Sequence, residues 1–289
     1  MRLLPLLIAI CLPTAALAAP KWTPPEPTRV AAGVHDGDAV APKLRADGQW
    51  IAYGIREPAG DGVRGRYYAR SLGEDGTFRS VWPNQHPSFK GKEGTASFAD
   101  LLGFAWHPGG RHNAMVVNHK TEGAEVMLEL LDLRFGGPGD QKRPVFSRDG
   151  SRVVVIAQGD LGRELWVGKV EDQGELEQLT FTRDEERWPD WHPDGQVVLH
   201  EIRHRQKQRS DLFLFSLEWY DHSFALKLPD SDEVHPSFSP DGETMAFLSN
   251  KDDPSGARYD LFVGAPGGTE FTSLIQGVRF DEEALGYAW

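Results

Sequence analysis

The stretch His235–Asn250, HPSFSPDGETMAFLSN, sets two β-prone runs on either side of Ser-Pro-Asp-Gly. Gly242 accepts φ > 0 without steric penalty, Asp241 can bond within its own turn, and Pro240 presets φ where the turn begins. The stretch therefore predicts strand, tight turn, strand. The same pattern recurs upstream as WPDWHPDGQVVLHE (188–201) and RPVFSRDGSRVVVIA (143–157), and more weakly as GFAWHPGGRHNAMVV (103–117) and APKLRADGQWIAYG (41–54). The Asp-Gly positions are Asp47, Asp149, Asp194 and Asp241, with Gly109 replacing Asp in the second copy. A chain built from one recurring unit buries each copy against its neighbours, and this restricts the fold more than any other feature.

After each turn comes a second strand, a polar gap, and a third strand opened by an acid in the clearer copies: Glu164, Asp211 and Asp260. LEQLTFT and TEFTSLIQ supply fourth strands. Four short strands in each repeat, with little helical periodicity, predict an all-β chain of propeller blades rather than a two-sheet sandwich. Five full repeats are followed by a partial sixth, LGYAW (285–289). TRVAAGV (28–34) is the candidate to close the ring beside it. Two closures stay open: five full blades with an overlapping strand, or a sixth blade completed by a partner.

Residues 1–18 read as a cleaved secretory signal: Arg2, the apolar run Leu3–Leu12, then small residues ending in an Ala-x-Ala site. Cys11 is preceded by Ile10, which makes it a poor lipid-attachment cysteine. Residues 19–34 form a Pro-rich lead-in, and 35–289 form the repeat domain. Without the signal the chain has no cysteine, so its stability in an oxidising compartment rests on its core. The full chain carries 31 Lys+Arg against 43 Asp+Glu; losing Arg2 changes the net charge from −12 to −13. That balance argues against nucleic acid and anionic lipid as main partners. The expected location is the periplasm, with no integral membrane segment.

The strand, Ser-Pro-Asp-Gly, strand pattern followed by LFV or LWV resembles the TolB-like β-propeller repeat, over nearly the whole chain after the signal and most clearly in copies three to five. The resemblance implies a propeller of about six blades that serves as an envelope scaffold or as a module attached to hydrolases. Two departures stand out. The α/β domain that precedes the propeller in TolB has no counterpart in the roughly 20 residues before the first repeat, and the sixth repeat lacks its middle strands.

Nine residues before each Asp-Gly aspartate, or its equivalent, stands a carboxylate: Asp38, Asp100, Asp140, Glu185, Asp232 and Glu283. On the innermost strands these would ring one mouth of the central channel, with Glu186, Glu233 and Glu282 adding charge. Such a ring would attract a cation or a basic peptide; alternatively, each acid bonds backbone amides between blades. No cofactor is expected, although oxygen ligands at the mouth would suit calcium. HEIRHRQKQRSD (200–211) places Arg203, Arg205, Lys207 and Arg209 on a hairpin, as a contact for phosphate or an acidic partner or as a solvated loop. The insertion 84–100 reads equally as a partner-binding loop or as a disordered segment. Trp106, Trp188, Trp191 and Trp219 read as blade-core packing, and His107 and His192 as turn residues.

No G-x-S-x-G occurs and no cysteine remains for a thiol site; HEIRH (200–204) has the H-E-x-x-H letters, but in a run that reads as a strand rather than on the helix that this zinc chemistry needs. The expectation is a non-enzymatic periplasmic propeller that binds an envelope protein or basic peptide. The alternative is a metal-dependent polysaccharide lyase or hydrolase on the same scaffold.

Overall fold

The computed structural model describes residues 142–278 except 172–174, 227 and 254, together with the backbone of eight strands between Asp38 and Arg134. The signal segment, the lead-in, TRVAAGV, the insertion 84–100, LGYAW, Asp100, Asp140, Glu282 and Glu283 lie outside the described residues.

The regular elements among those residues are all strands, arranged as five four-stranded units, of which the third and fourth join into one eight-stranded sheet through a parallel pairing of Arg163 with Glu185. The first comprises β1 (Asp38–Leu44), β2 (Trp50–Ala59), β3 (Gly62–Ser71) and β4 (Phe78–Ser80). The second comprises β5 (Phe104–Trp106), β6 (Asn113–His119), β7 (Gly123–Leu128) and β8 (Leu133–Arg134). The third comprises β9 (Lys142–Phe146), β10 (Arg152–Gln158), β11 (Arg163–Lys169) and β12 (Leu176–Gln178). In the fourth are β13 (Glu185–Trp191), β14 (Val197–His204), β15 (Arg209–Ser216) and β16 (Asp221–Phe224). The fifth holds β17 (Glu233–Phe238), β18 (Met245–Ser249), β19 (Tyr259–Gly264) and β20 (Thr272–Val278). Strands pair antiparallel in chain order within each unit. The first strands touch in succession, β1 with β5, β5 with β9, β9 with β13 and β13 with β17. That is the side-by-side arrangement of propeller blades, each inner strand against the next.

The turn chemistry repeats in detail. Gly150, Gly195 and Gly242 all have φ near +70°, at 73°, 70° and 77°. In the third blade Ser147 Oγ donates to Asp149 at 2.6 Å, and the Ser151 amide donates to the same carboxylate oxygen at 3.0 Å. Ser239, Asp241 and Glu243 repeat both bonds in the fifth. These bonds hold Asp149 down at a pKa of about 2.

The core lies between blades. Val154, Ile156, Leu165 and Val167 of the third blade pack on Trp191, Val198 and Phe215 of the fourth. Leu199 and Leu212 of the fourth pack on Phe238, Met245 and Phe247 of the fifth. Trp191 is a core residue, as expected, and its indole N–H donates to the Val145 carbonyl across the blade junction at 2.9 Å. Trp219 departs from the core reading: it is 74 % exposed, in the turn between β15 and β16 beyond the reach of the packed faces.

Candidate functional site

Four of the five inner strands carry a bulge at the same place. Register slips between Val40 and Lys43 on β1, opposite Val154 to Ile156 on β9, between Arg187 and Asp190 on β13, and between Val234 and Ser237 on β17. In the three fully described inner strands the residue six before the turn aspartate has positive φ: Arg143 (53°), Trp188 (48°) and His235 (52°). A proline follows each of them. Non-glycine residues in this region are strained and persist where surrounding structure holds them. Here the holding contacts run from blade to blade. The Arg143 guanidinium lies 3.5 Å from the centre of the Trp188 ring, and the Trp188 and His235 ring centroids are also 3.5 Å apart. Three inner strands thus share one stacked ladder. Its signal in the sequence is the X-Pro pair that opens the third, fourth and fifth copies (Arg143-Pro144, Trp188-Pro189, His235-Pro236), which spacing alone does not flag as a contact.

Beside the ladder a cleft of about 260 Å³ opens between the fourth and fifth blades, lined by residues including Glu201, Arg203, Ser210, Asp232 and Tyr259. Glu201 is buried and accepts from Ser210 Oγ at 2.8 Å; burial raises its pKa. Asp232 stands just before β17, where its Oδ1 accepts the Ser210 backbone N–H of the neighbouring blade at 2.8 Å. Its Oδ2 lies 3.4 Å from both the Tyr259 hydroxyl and Asn250 Nδ2.

Glu185 opens β13 opposite Arg203 on β14, bonds Arg187 at 2.9 Å and reaches Arg205 at 4.0 Å. Burial pushes its pKa up, but the guanidinium groups prevail and the net shift is down. Asp38 opens β1, opposite Arg56 in the register. Arg205 and Lys207 are exposed in the hairpin turn, and Arg209 lies 3.8 Å from Asp211 and 3.7 Å from Asp230. Glu185, Asp232 and the basic hairpin, separate features in the sequence, therefore lie on one mixed-charge surface. At its centre His204, absent from the sequence-based candidates, sits 2.7 Å from Asp184 and 2.9 Å from Asp211.

One expectation is corrected here. Glu186 and Glu233 do not add surface charge beside Glu185 and Asp232, because both are fully buried. Burial raises Glu233 to about 7, and burial beside Glu164 raises Glu186 to about 9. Side chains alternate along a strand, so the residue next to a mouth carboxylate points into the blade.

No protein-family model matches the chain, and no curated protein matches it. Solved structures do. TolB from Acinetobacter baumannii superposes with a TM-score of 0.64 at 17 % identity, over 88 % of this chain and 57 % of that one. A protein of Agrobacterium tumefaciens described as a TolB gives 0.63 at 16 % identity, over 83 % of each chain. The chain thus spans little more than half the length of the Acinetobacter protein. An oligogalacturonate lyase in complex with manganese gives 0.53 at 13 % identity, over 81 % of this chain and 64 % of that one. The fold is a TolB-like β-propeller. Because a lyase shares it, the fold alone does not decide between scaffold and enzyme.

Proposed function

We propose that this chain, a TolB-like propeller by fold, is a periplasmic scaffold that holds a basic segment of an envelope protein at the channel mouth between its fourth and fifth blades. The observation that supports this reading is the cleft where Arg203, Ser210, Asp232 and Tyr259 converge. At about 260 Å³ it is smaller than the roughly 300–1,000 Å³ that encloses a drug-sized ligand. A single side chain from a partner polypeptide suits it better than a run of sugar rings. Asp232 and the Tyr259 hydroxyl offer acceptors to a lysine or arginine head group, and Glu185 adds a second carboxylate nearby. The net charge of −12 favours the approach of such a partner. The stacked Arg143–Trp188–His235 ladder keeps the inner strands rigid, so little ordering entropy is lost on binding.

The test is a crosslinking capture from whole envelopes, followed by affinity measurement with the captured partner and with a lysine-rich peptide. The double variant Asp232→Asn/Glu185→Gln keeps size and removes two charges. Affinity should fall about tenfold at low salt, with a smaller difference at high salt as screening grows. Unchanged affinity with a lowered urea midpoint would make both carboxylates structural and sink the reading. Turnover of a uronate polysaccharide by the purified protein would favour the enzyme instead.

A further inference from the structure

The blades repeat closely enough that each buried position has counterparts, and two positions of the fourth blade break the pattern. His200 stands six residues after the turn aspartate, where the third and fifth blades have Val155 and Phe247. His222, opposite Phe215 on β16, stands where those blades have Leu176, opposite Gly168, and Phe271, next to the start of β20. In the sister blades both positions are apolar and pack together. Val155 and Leu176 belong to one cluster, Phe247 and Phe271 to another, and the last two rings meet edge to face with centroids 5.2 Å apart. In the fourth blade the two imidazoles replace that packing, also with centroids 5.2 Å apart.

Polar atoms in a core need partners. His200 Nε2, His222 Nε2 and Glu186 Oε2 are buried atoms without a hydrogen-bond partner. All three residues offer a ligand atom within 4.8 Å of the other two. We propose that Glu186, His200 and His222 bind a divalent transition-metal ion, zinc by donor chemistry, that pins β13, β14 and β16 of the fourth blade together.

The donor set fits. Two imidazole nitrogens and a carboxylate oxygen suit zinc, whose ligands lie about 2.0–2.2 Å from the ion. The ligand atoms must then draw together to roughly 3.5 Å, a movement within reach of side-chain rotation. His200 Nδ1 faces the Val198 carbonyl at 3.4 Å, which can only accept; the proton belongs there, and Nε2 is left with its lone pair. Glu186 is oriented by the Thr182 hydroxyl, which donates to its Oε1 at 3.0 Å. Beside it lies the buried Glu164 of the third blade. Glu186 and His200 have no exposed surface, so the ion is structural, while half-buried His222 is its way in.

The experiment uses the whole purified chain, stripped of metal, with Zn²⁺ and Co²⁺ as probes. Expected are retention of about one zinc per chain after dialysis, a rise in melting temperature with added Zn²⁺, and visible absorption of tetrahedral Co²⁺. The variant His200→Val/His222→Leu installs the residues of the third blade, where they pack. It should fold, show no Zn²⁺-dependent melting shift, and bind Zn²⁺ at least about 100-fold more weakly. Glu186→Gln, which keeps the shape, should also lose most of the affinity. The proposal is overturned if folded parent protein retains neither ion, or if His200→Val/His222→Leu binds zinc as tightly as the parent through other histidines.

Discussion

At the turn glycines, the same local geometry meets different surroundings. Gly195 and Gly242 both sit in left-handed backbone, at φ of 70° and 77°. A Cβ on Gly195 would meet nothing within 4 Å, whereas one on Gly242 would collide with His192 and Pro193 of the preceding blade's turn. Gly195→Ala should therefore cost about 1 kcal/mol, the penalty of the backbone alone. Gly242→Ala should cost clearly more, because two rings of the neighbouring turn must move. Urea midpoints of the two variants check this, and equal losses would mean that the two turns do not touch in solution. His192 shows the same coupling: it occupies the serine slot of its own turn, with its Nδ1 2.9 Å from the Asp194 carboxylate, while its ring packs edge-on against Phe238.

Among the elements, the acids that open strands act as ties. Glu164, at the start of the third blade's third strand, accepts from the Thr180 hydroxyl and the Thr182 amide; Asp260 accepts from the Gly277 amide. Asp190 on β13 accepts from Ser237 Oγ and the Phe238 amide of the next blade. Asp190→Ala would leave that buried amide unpaired and should cost about 1–3 kcal/mol in a urea titration. Glu233 behaves differently, since its buried carboxyl is held by the Ser231 and Ser249 hydroxyls and burial raises it from about 4.5 to about 7. A raised acid binds its proton more tightly in the folded state. Its contribution is thus complete below about pH 4.5 and is lost as pH rises through 7. Comparing parent with Glu233→Gln at pH 5 and pH 8 should show the parent losing up to about 3 kcal/mol relative to the variant. A pH-independent difference would place the ionised form comfortably in the blade.

The whole molecule is proposed to work outside the cytoplasm. N-terminal sequencing of protein from the periplasmic fraction should start at or near Ala19, while a retained Met1 in a cytosolic fraction would refute the export reading. Among the described residues no helix is long and apolar enough to cross a membrane. The blades join through apolar faces and through ties such as Trp191 to Val145, so a fault at one junction should loosen its neighbours before distant blades. Hydrogen exchange on Asp190→Ala would show this as lost protection concentrated at β13 and β17.

The repeat, its turns, the strand order and the apolar residue before each turn were legible in the sequence because they rest on neighbours. Asp149 and Asp241 bond partners two residues away, and backbone sterics set the glycines. Glu185 and Asp232 were legible as acids for the same reason, as fixed offsets from the turn. What those acids meet was not. Ser210 and Asp232 are 22 positions apart, and Asp190 and Phe238 are 48 apart. Only the docking of one twisted blade on the next decides such pairs. The same docking buries Glu186 and Glu233 beside the more exposed Glu185 and Asp232, and it brings His200 to His222 where sister blades pack apolar side chains. Periodicity places a residue on a face; which group waits opposite, and whether water reaches it, belongs to the tertiary structure.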